Sequence, residues 1–225
     1  MKGSNMDIEE IMNLWILVCS LIGSVYGFYC FFRPKKAAYL QLIASGVGCI
    51  LFARLFQFIH LAAKGVLGEG FHIGMIGIIA SFLFFLTANY GQIDGLVDDR
   101  SKAFRPTRIR ALIAPAVILI LYAVFFILVE NLELRIVIGV VAFFIMLCTY
   151  YNFKHVIIYD VELGIVTPLK KYNALVIAYA VFTMAEFIGL YAHITPLYIV
   201  ACAGIGIAAI LLLPVLKGGV DKWTI

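Results

Sequence analysis

Ala111-Leu-Ile-Ala-Pro-Ala-Val-Ile-Leu-Ile-Leu-Tyr-Ala-Val-Phe-Phe-Ile-Leu-Val129 runs for 19 residues without a charged side chain. At 1.5 Å of rise per residue, a helix of this length covers roughly 30 Å, the thickness of a bilayer's hydrocarbon core. The run is continuous rather than alternating, which selects a helix over a strand of a membrane barrel. With Ile109 and Arg110 it defines a span over Ile109–Val129. Working outward from it, runs of similar length occur at Ile11–Phe32, Ala37–Ala63, Phe71–Tyr90, Leu134–Phe153, Tyr172–Ala192 and Pro196–Leu216. The expected fold is an all-α integral membrane protein. Its single domain over residues 1–225 is a bundle of seven transmembrane helices, with no separate soluble domain.

Composition supports the same class. Of 225 residues, 64% are apolar and 13% are charged, with a mean hydropathy of +1.05. A soluble domain holds about 45–50% apolar and about 25% charged residues. A water-soluble globule, a disordered chain and a nucleic-acid-binding module are therefore excluded, despite a formal charge of +4. The lipid bilayer is the first expected partner, in a plasma or bacterial inner membrane.

Basic residues set the expected orientation, because short loops rich in Lys and Arg stay cytoplasmic. The loops after the first, third and fifth spans and the C-terminal tail carry 13 of the 17 Lys and Arg, while the other side carries only Lys2, Lys64 and Arg135. This predicts an outside N-terminus and a cytoplasmic C-terminus. The first span reads as a retained helix, because acidic Asp7, Glu9 and Glu10 precede it where a cleaved signal carries positive charge. The five cysteines lie in or at the edges of spans, without a CxxC pair, and read as apolar packing. Small residues four apart, such as Gly23 and Gly27 or Gly77 and Ser81, predict helix-contact faces or a homo-oligomer interface.

Seven spans can be three plus a linker plus three. Gln57-Phe58-Ile59-His60-Leu61 in the second span is similar to Glu186-Phe187-Ile188-Gly189-Leu190 in the sixth, the positions such a duplication would pair. The match does not extend to the flanking lysines, and the Pro-Gln pair of small sugar and cystine carriers with that architecture is absent.

Ionisable residues at membrane depth carry most functional information, since a charge there costs at least about 2.5–3.5 kcal/mol. Arg54 lies 17 residues along the second span from Ala37, and Glu186 lies 14 along the sixth from Tyr172. Rises of roughly 25 and 21 Å place them at similar depth in the outer half, where opposite charges can pair. Gln57 and His60 follow Arg54 at intervals of three, on one side of the helix. Arg54, Gln57, His60 and Glu186 thus form the candidate binding cluster for a small polar or anionic ligand, with Arg54 as anchor. His72 and His193 are expected nearby at outer helix ends. No paired carboxylate or cysteine joins the histidines, so neither a metal nor a cofactor is expected.

At the inner end of the third span lies Asn89-Tyr-Gly-Gln-Ile-Asp94-Gly-Leu-Val-Asp98-Asp99-Arg100-Ser-Lys102-Ala-Phe-Arg105-Pro106. Acids four apart can share a helix face and bind Mg²⁺, with basic neighbours for phosphate. The stretch resembles the first motif of UbiA-type membrane prenyltransferases. That resemblance implies a Mg²⁺–diphosphate held by Asp94 and Asp98, with Arg105 on the diphosphate. Here the first Asp follows Asn89 by five residues rather than four, and the second acidic motif is reduced to Asp160 and Glu162. Read as residues alone, Asp94, Asp98, Arg100 and Arg105 form a charge-balanced loop, or a docking surface for a cytoplasmic or membrane partner or for anionic lipid.

Three functions follow as expectations. The first is a receptor-like or sensory membrane subunit that binds a small polar ligand in the outer half of the bundle. The second is a small secondary transporter or permease component of three, one and three helices. The third is a lipid-diphosphate transferase like the UbiA enzymes. No hydrolase, metalloprotease, P-loop or dinucleotide motif is present.

Overall fold

The computed structural model describes residues 8–32, 37–64, 70–95, 98–158 and 166–220. Among these residues there is no strand. Seven helices are each long and apolar enough to cross a membrane. They are α1 (Ile8–Phe31), α2 (Ala38–Lys64), α3 (Ile73–Asp94), α4 (Lys102–Leu128), α5 (Leu132–Ile157), α6 (Val166–Tyr191) and α7 (Thr195–Val220). Six of the seven outrun the apolar run that announces them, because hydrogen-bond propagation does not stop where hydrophobicity does. The longest extensions lie at the end rich in Lys and Arg, called here the basic end. There α3 reaches Asp94, α4 starts at Lys102 rather than Ile109, α5 continues to Ile157 and α6 starts at Val166.

Local chemistry fixes several boundaries. Asn131 caps α5, its side chain accepting the Leu134 amide at 3.0 Å. Pro106 and Pro168 stand in the first turns of the helical stretches that hold them, where a missing N–H removes no bond. Between α6 and α7, His193 takes a left-handed φ of 56°. There the Ile194 amide reaches the Gly189 carbonyl at 2.8 Å and the His193 amide reaches that of Leu190 at 3.3 Å, the bonding of a Schellman cap without its usual glycine. The last eight residues of α3, Thr87–Asp94, wind as a π-helix, a geometry rare overall and frequent at functional sites.

Six helices close a ring in the order α1, α2, α3, α5, α6, α7, with α7 returning to α1 and lightly touching α2. α4 stands outside it, packed on α5 and α6. Only Ala111, Ala114, Ile118 and Phe125 are buried on α4, spaced three, four and seven apart along one narrow stripe, and the rest of its apolar stretch is largely exposed. The ring thus has two three-helix halves, α1–α3 and α5–α7, whose middle helices α2 and α6 face each other across the interior. The small residues lie within this packing. Gly23 backs onto the Ala209 carbonyl, Gly27 sits between Ala44 and Leu213, and a Cβ on Gly77 would stand 3.0 Å from the Cys49 carbonyl oxygen.

Candidate functional site

Four buried layers fill the ring. The first lies away from the basic end and is built on Arg54 of α2. Both Nη atoms of Arg54 donate to the Glu186 carboxylate on α6, Nη2 at 2.5 Å, and Nη1 also donates to Gln57 Oε1 at 2.9 Å. Arg54 is 1% exposed, and Gln57 and Glu186 are 3% exposed. The equal-depth pairing read from the sequence is therefore present as a two-pronged ion pair.

Three of the four predicted cluster residues meet, and His60 does not join their hydrogen bonds. It is half-buried and stacks on Phe56 at 5.9 Å, a ring that His72 also stacks on at 6.4 Å. His193 is exposed in the α6–α7 turn. Around the pair several buried polar atoms have no hydrogen-bond partner: Arg54 Nε, His72 Nδ1, Asn13 Oδ1 and Tyr191 OH. His72 lies within electrostatic reach of Arg54, and Tyr191 of Glu186. Asn13 joins through Tyr198, whose hydroxyl accepts its Nδ2 at 3.4 Å.

The second layer is aromatic. Tyr179 of α6 stacks on Phe82 at 5.1 Å and meets Phe85 edge-on at 6.4 Å, with all three rings fully buried. Seven residues separate Tyr179 from Glu186, two turns or about 10 Å along α6. The third layer is built of amides. Asn89, on the π-helical turn, donates to Asn152 Oδ1 at 2.8 Å and Asn173 Oδ1 at 3.1 Å, while Tyr39 donates to Asn89 Oδ1 at 3.5 Å. Asn173 Nδ2 and Tyr172 OH stay unpartnered.

The fourth layer closes the basic end. Lys154 of α5 bridges Asp94 and Asp98, at 3.0 Å from Asp98 Oδ2, and His155 Nε2 lies 3.3 Å from Asp94 Oδ1. Arg108 donates to both oxygens of Asp98 at 3.0 and 3.3 Å, and the Arg100 amide adds a bond at 2.9 Å. Burial pushes the Asp98 carboxyl up, but the bonds from Lys154, the Arg100 amide and Arg108 outweigh it and hold the group below its ordinary range.

The predicted acidic pair is therefore brought together, but on protein cations. Arg108 meets it, whereas Arg100 offers only its backbone and Arg105 stays exposed. In the UbiA-like reading Asp94 and Asp98 would face Mg²⁺ and Arg105 a diphosphate; here Lys154 pairs with both carboxylates and Arg108 adds a second cation at Asp98. Asp160 and Glu162 lie outside the described residues. Among the described residues, no group of three His, Cys, Asp or Glu is placed to hold a metal ion. Lys154 and His155 were not foreseen, because the apolar run ends at Phe153 while the helix carries both inward for another turn. Asn173 also went unforeseen, since one amide just inside a span looks like interface. No protein-family model, characterised protein or solved structure matches this chain.

Proposed function

We propose that this is a multi-pass membrane protein with its basic end in the cytoplasm, and that it acts as a small secondary carrier. Its two moving halves would be α1–α3 and α5–α7, linked by α4. The observation that carries the reading is the Arg54–Glu186 pair, which joins the middle helices of the two halves across the ring and at its interior. Carriers built from repeats place their substrate at the interface of those repeats. A purely structural clamp would satisfy its own surroundings, because each unpaired buried polar group costs about 1–3 kcal/mol. The unpartnered atoms of Arg54, His72, Asn13 and Tyr191 instead offer donors and acceptors to a small polar or anionic ligand. The Tyr179–Phe82–Phe85 layer separates this cluster from the amide layer, as a closed gate would.

The test is uptake of a panel of labelled amino acids, short carboxylates and monosaccharides into proteoliposomes. Saturable uptake of at least one compound is expected, reduced tenfold or more by Arg54→Lys in protein that remains folded, because a lysine cannot reproduce the guanidinium fork. Thermal stabilisation by a compound that is never taken up would transfer the site to a receptor-like sensory subunit. Neither binding nor uptake across the panel would leave Arg54 and Glu186 as a structural clamp.

A further inference from the structure

The loop between α3 and α4 has an inward half and an outward half. Asp98 and Arg108 turn inward to Lys154, and Arg108 Nη2 also binds the Ser101 carbonyl at 2.5 Å. The Asp98 side chain accepts the Arg100 amide, and the Asp99 side chain accepts the Ser101 amide at 2.8 Å, so the turn is pinned at two successive residues. Arg100 is held there at a left-handed φ of 62°, an unfavourable state for a residue with a Cβ and one of two such residues among those described. The outward result is four exposed cations, Arg100, Lys102, Arg105 and Arg110, and none has a carboxylate partner among the described residues. Asp99 is the one exposed acid beside them. Immediately along α4 from this cationic group, Ile109, Leu112 and Ile113 are exposed and apolar.

We propose that this surface binds the headgroup of an anionic phospholipid. An anionic amphiphile matches both parts: its phosphate meets the guanidinium and ammonium groups, and its acyl chains continue along the apolar side of α4. An acidic soluble protein would match the charges but leave Leu112 and Ile113 without a counterpart. The inward salt bridges leave the exposed cations available, because Asp98, the acid best placed to neutralise them, is occupied by Lys154 and Arg108. Each basic residue near an anionic surface contributes about fivefold in affinity at low salt.

The experiment uses the full chain in nanodiscs of phosphatidylcholine and phosphatidylglycerol mixed seven to three, released for native mass spectrometry. Wild type is expected to retain phosphatidylglycerol over phosphatidylcholine well beyond the bulk ratio. Arg105→Gln/Arg110→Gln is expected to lower that preference about 20- to 30-fold with an unchanged melting temperature, since both side chains are exposed. Lys171→Gln/Lys217→Gln, which removes the same charge elsewhere at the basic end, is expected to keep it. Equal retention of both lipids by wild type, or equal loss in the two double variants, would overturn the assignment and leave general positive charge or an acidic protein as the partner of this face.

Discussion

An arginine placed among apolar helices is stable only where its charge and its five N–H groups find partners, and Arg54 meets most of that requirement through Glu186 and Gln57. Removing one member strands the other charge, which in buried pairs costs about 3–5 kcal/mol, whereas removing both is milder. A thermal-stability cycle with Arg54→Met and Glu186→Gln should therefore show strong coupling; strictly additive losses would mean that the two side chains do not touch in the folded protein. Asp98 gives a second test at this scale. Its carboxyl is held below its ordinary range, so between the folded and unfolded values the unfolded chain binds more protons and stability rises with pH. That contribution is complete above about pH 4, the ordinary aspartate value, and fades as pH falls through the lowered one. Melting temperatures of wild type from pH 7 to 3 should fall on the acid side, and Asp98→Asn should start lower and fall less steeply. Parallel acid limbs would remove Asp98 from the linkage.

Packing between elements depends on small residues at a few close approaches. Gly23 faces the backbone carbonyl of Ala209, so any side chain there must push α1 away from α7, while Gly218 near the end of α7 has open space around it. Gly23→Val is expected to destabilise by about 1–3 kcal/mol, as overpacking does. Gly218→Ala should be neutral or stabilising by up to about 1 kcal/mol through helix propensity. Equal responses in denaturation would refute the close approach. At this scale the helices were legible from the sequence because burial in hydrocarbon demands a long apolar run, and that demand leaves an unmistakable pattern. The Arg54–Glu186 pairing was legible for the same reason: a charge in such a run is rare, and equal depth follows from counting residues. The cations that close the basic-end network on Asp94 and Asp98 were not, because Arg108 and Lys154 lie on the extra turns of α4 and α5, which are polar and resemble loop until the helix is seen to continue. The π-helical end of α3 left no mark in its composition, and it is what sets Asn89 between Asn152 and Asn173.

For the whole molecule, the ring makes orientation the property on which any functional reading rests. The 13 to 3 distribution of Lys and Arg argues that the basic end is cytoplasmic, since these counts fall in short loops and next to span ends, where the bias acts. Geometry refines how to measure it. Asn131 caps α5, so a cysteine there would remove the bond to the Leu134 amide and disturb the helix it reports on. The neighbouring Glu130 is exposed, as is Thr167 at the start of α6, and Ser101 is half-buried in the α3–α4 loop. In a background with the five native cysteines replaced, Glu130→Cys should react with a membrane-impermeant maleimide on intact cells. Ser101→Cys and Thr167→Cys should react only after permeabilisation. The converse labelling would invert the bundle, place the Arg54 cluster toward the cytoplasm and expose the basic surface of α4 to the outer leaflet, which would overturn the cytoplasmic placement of the basic end.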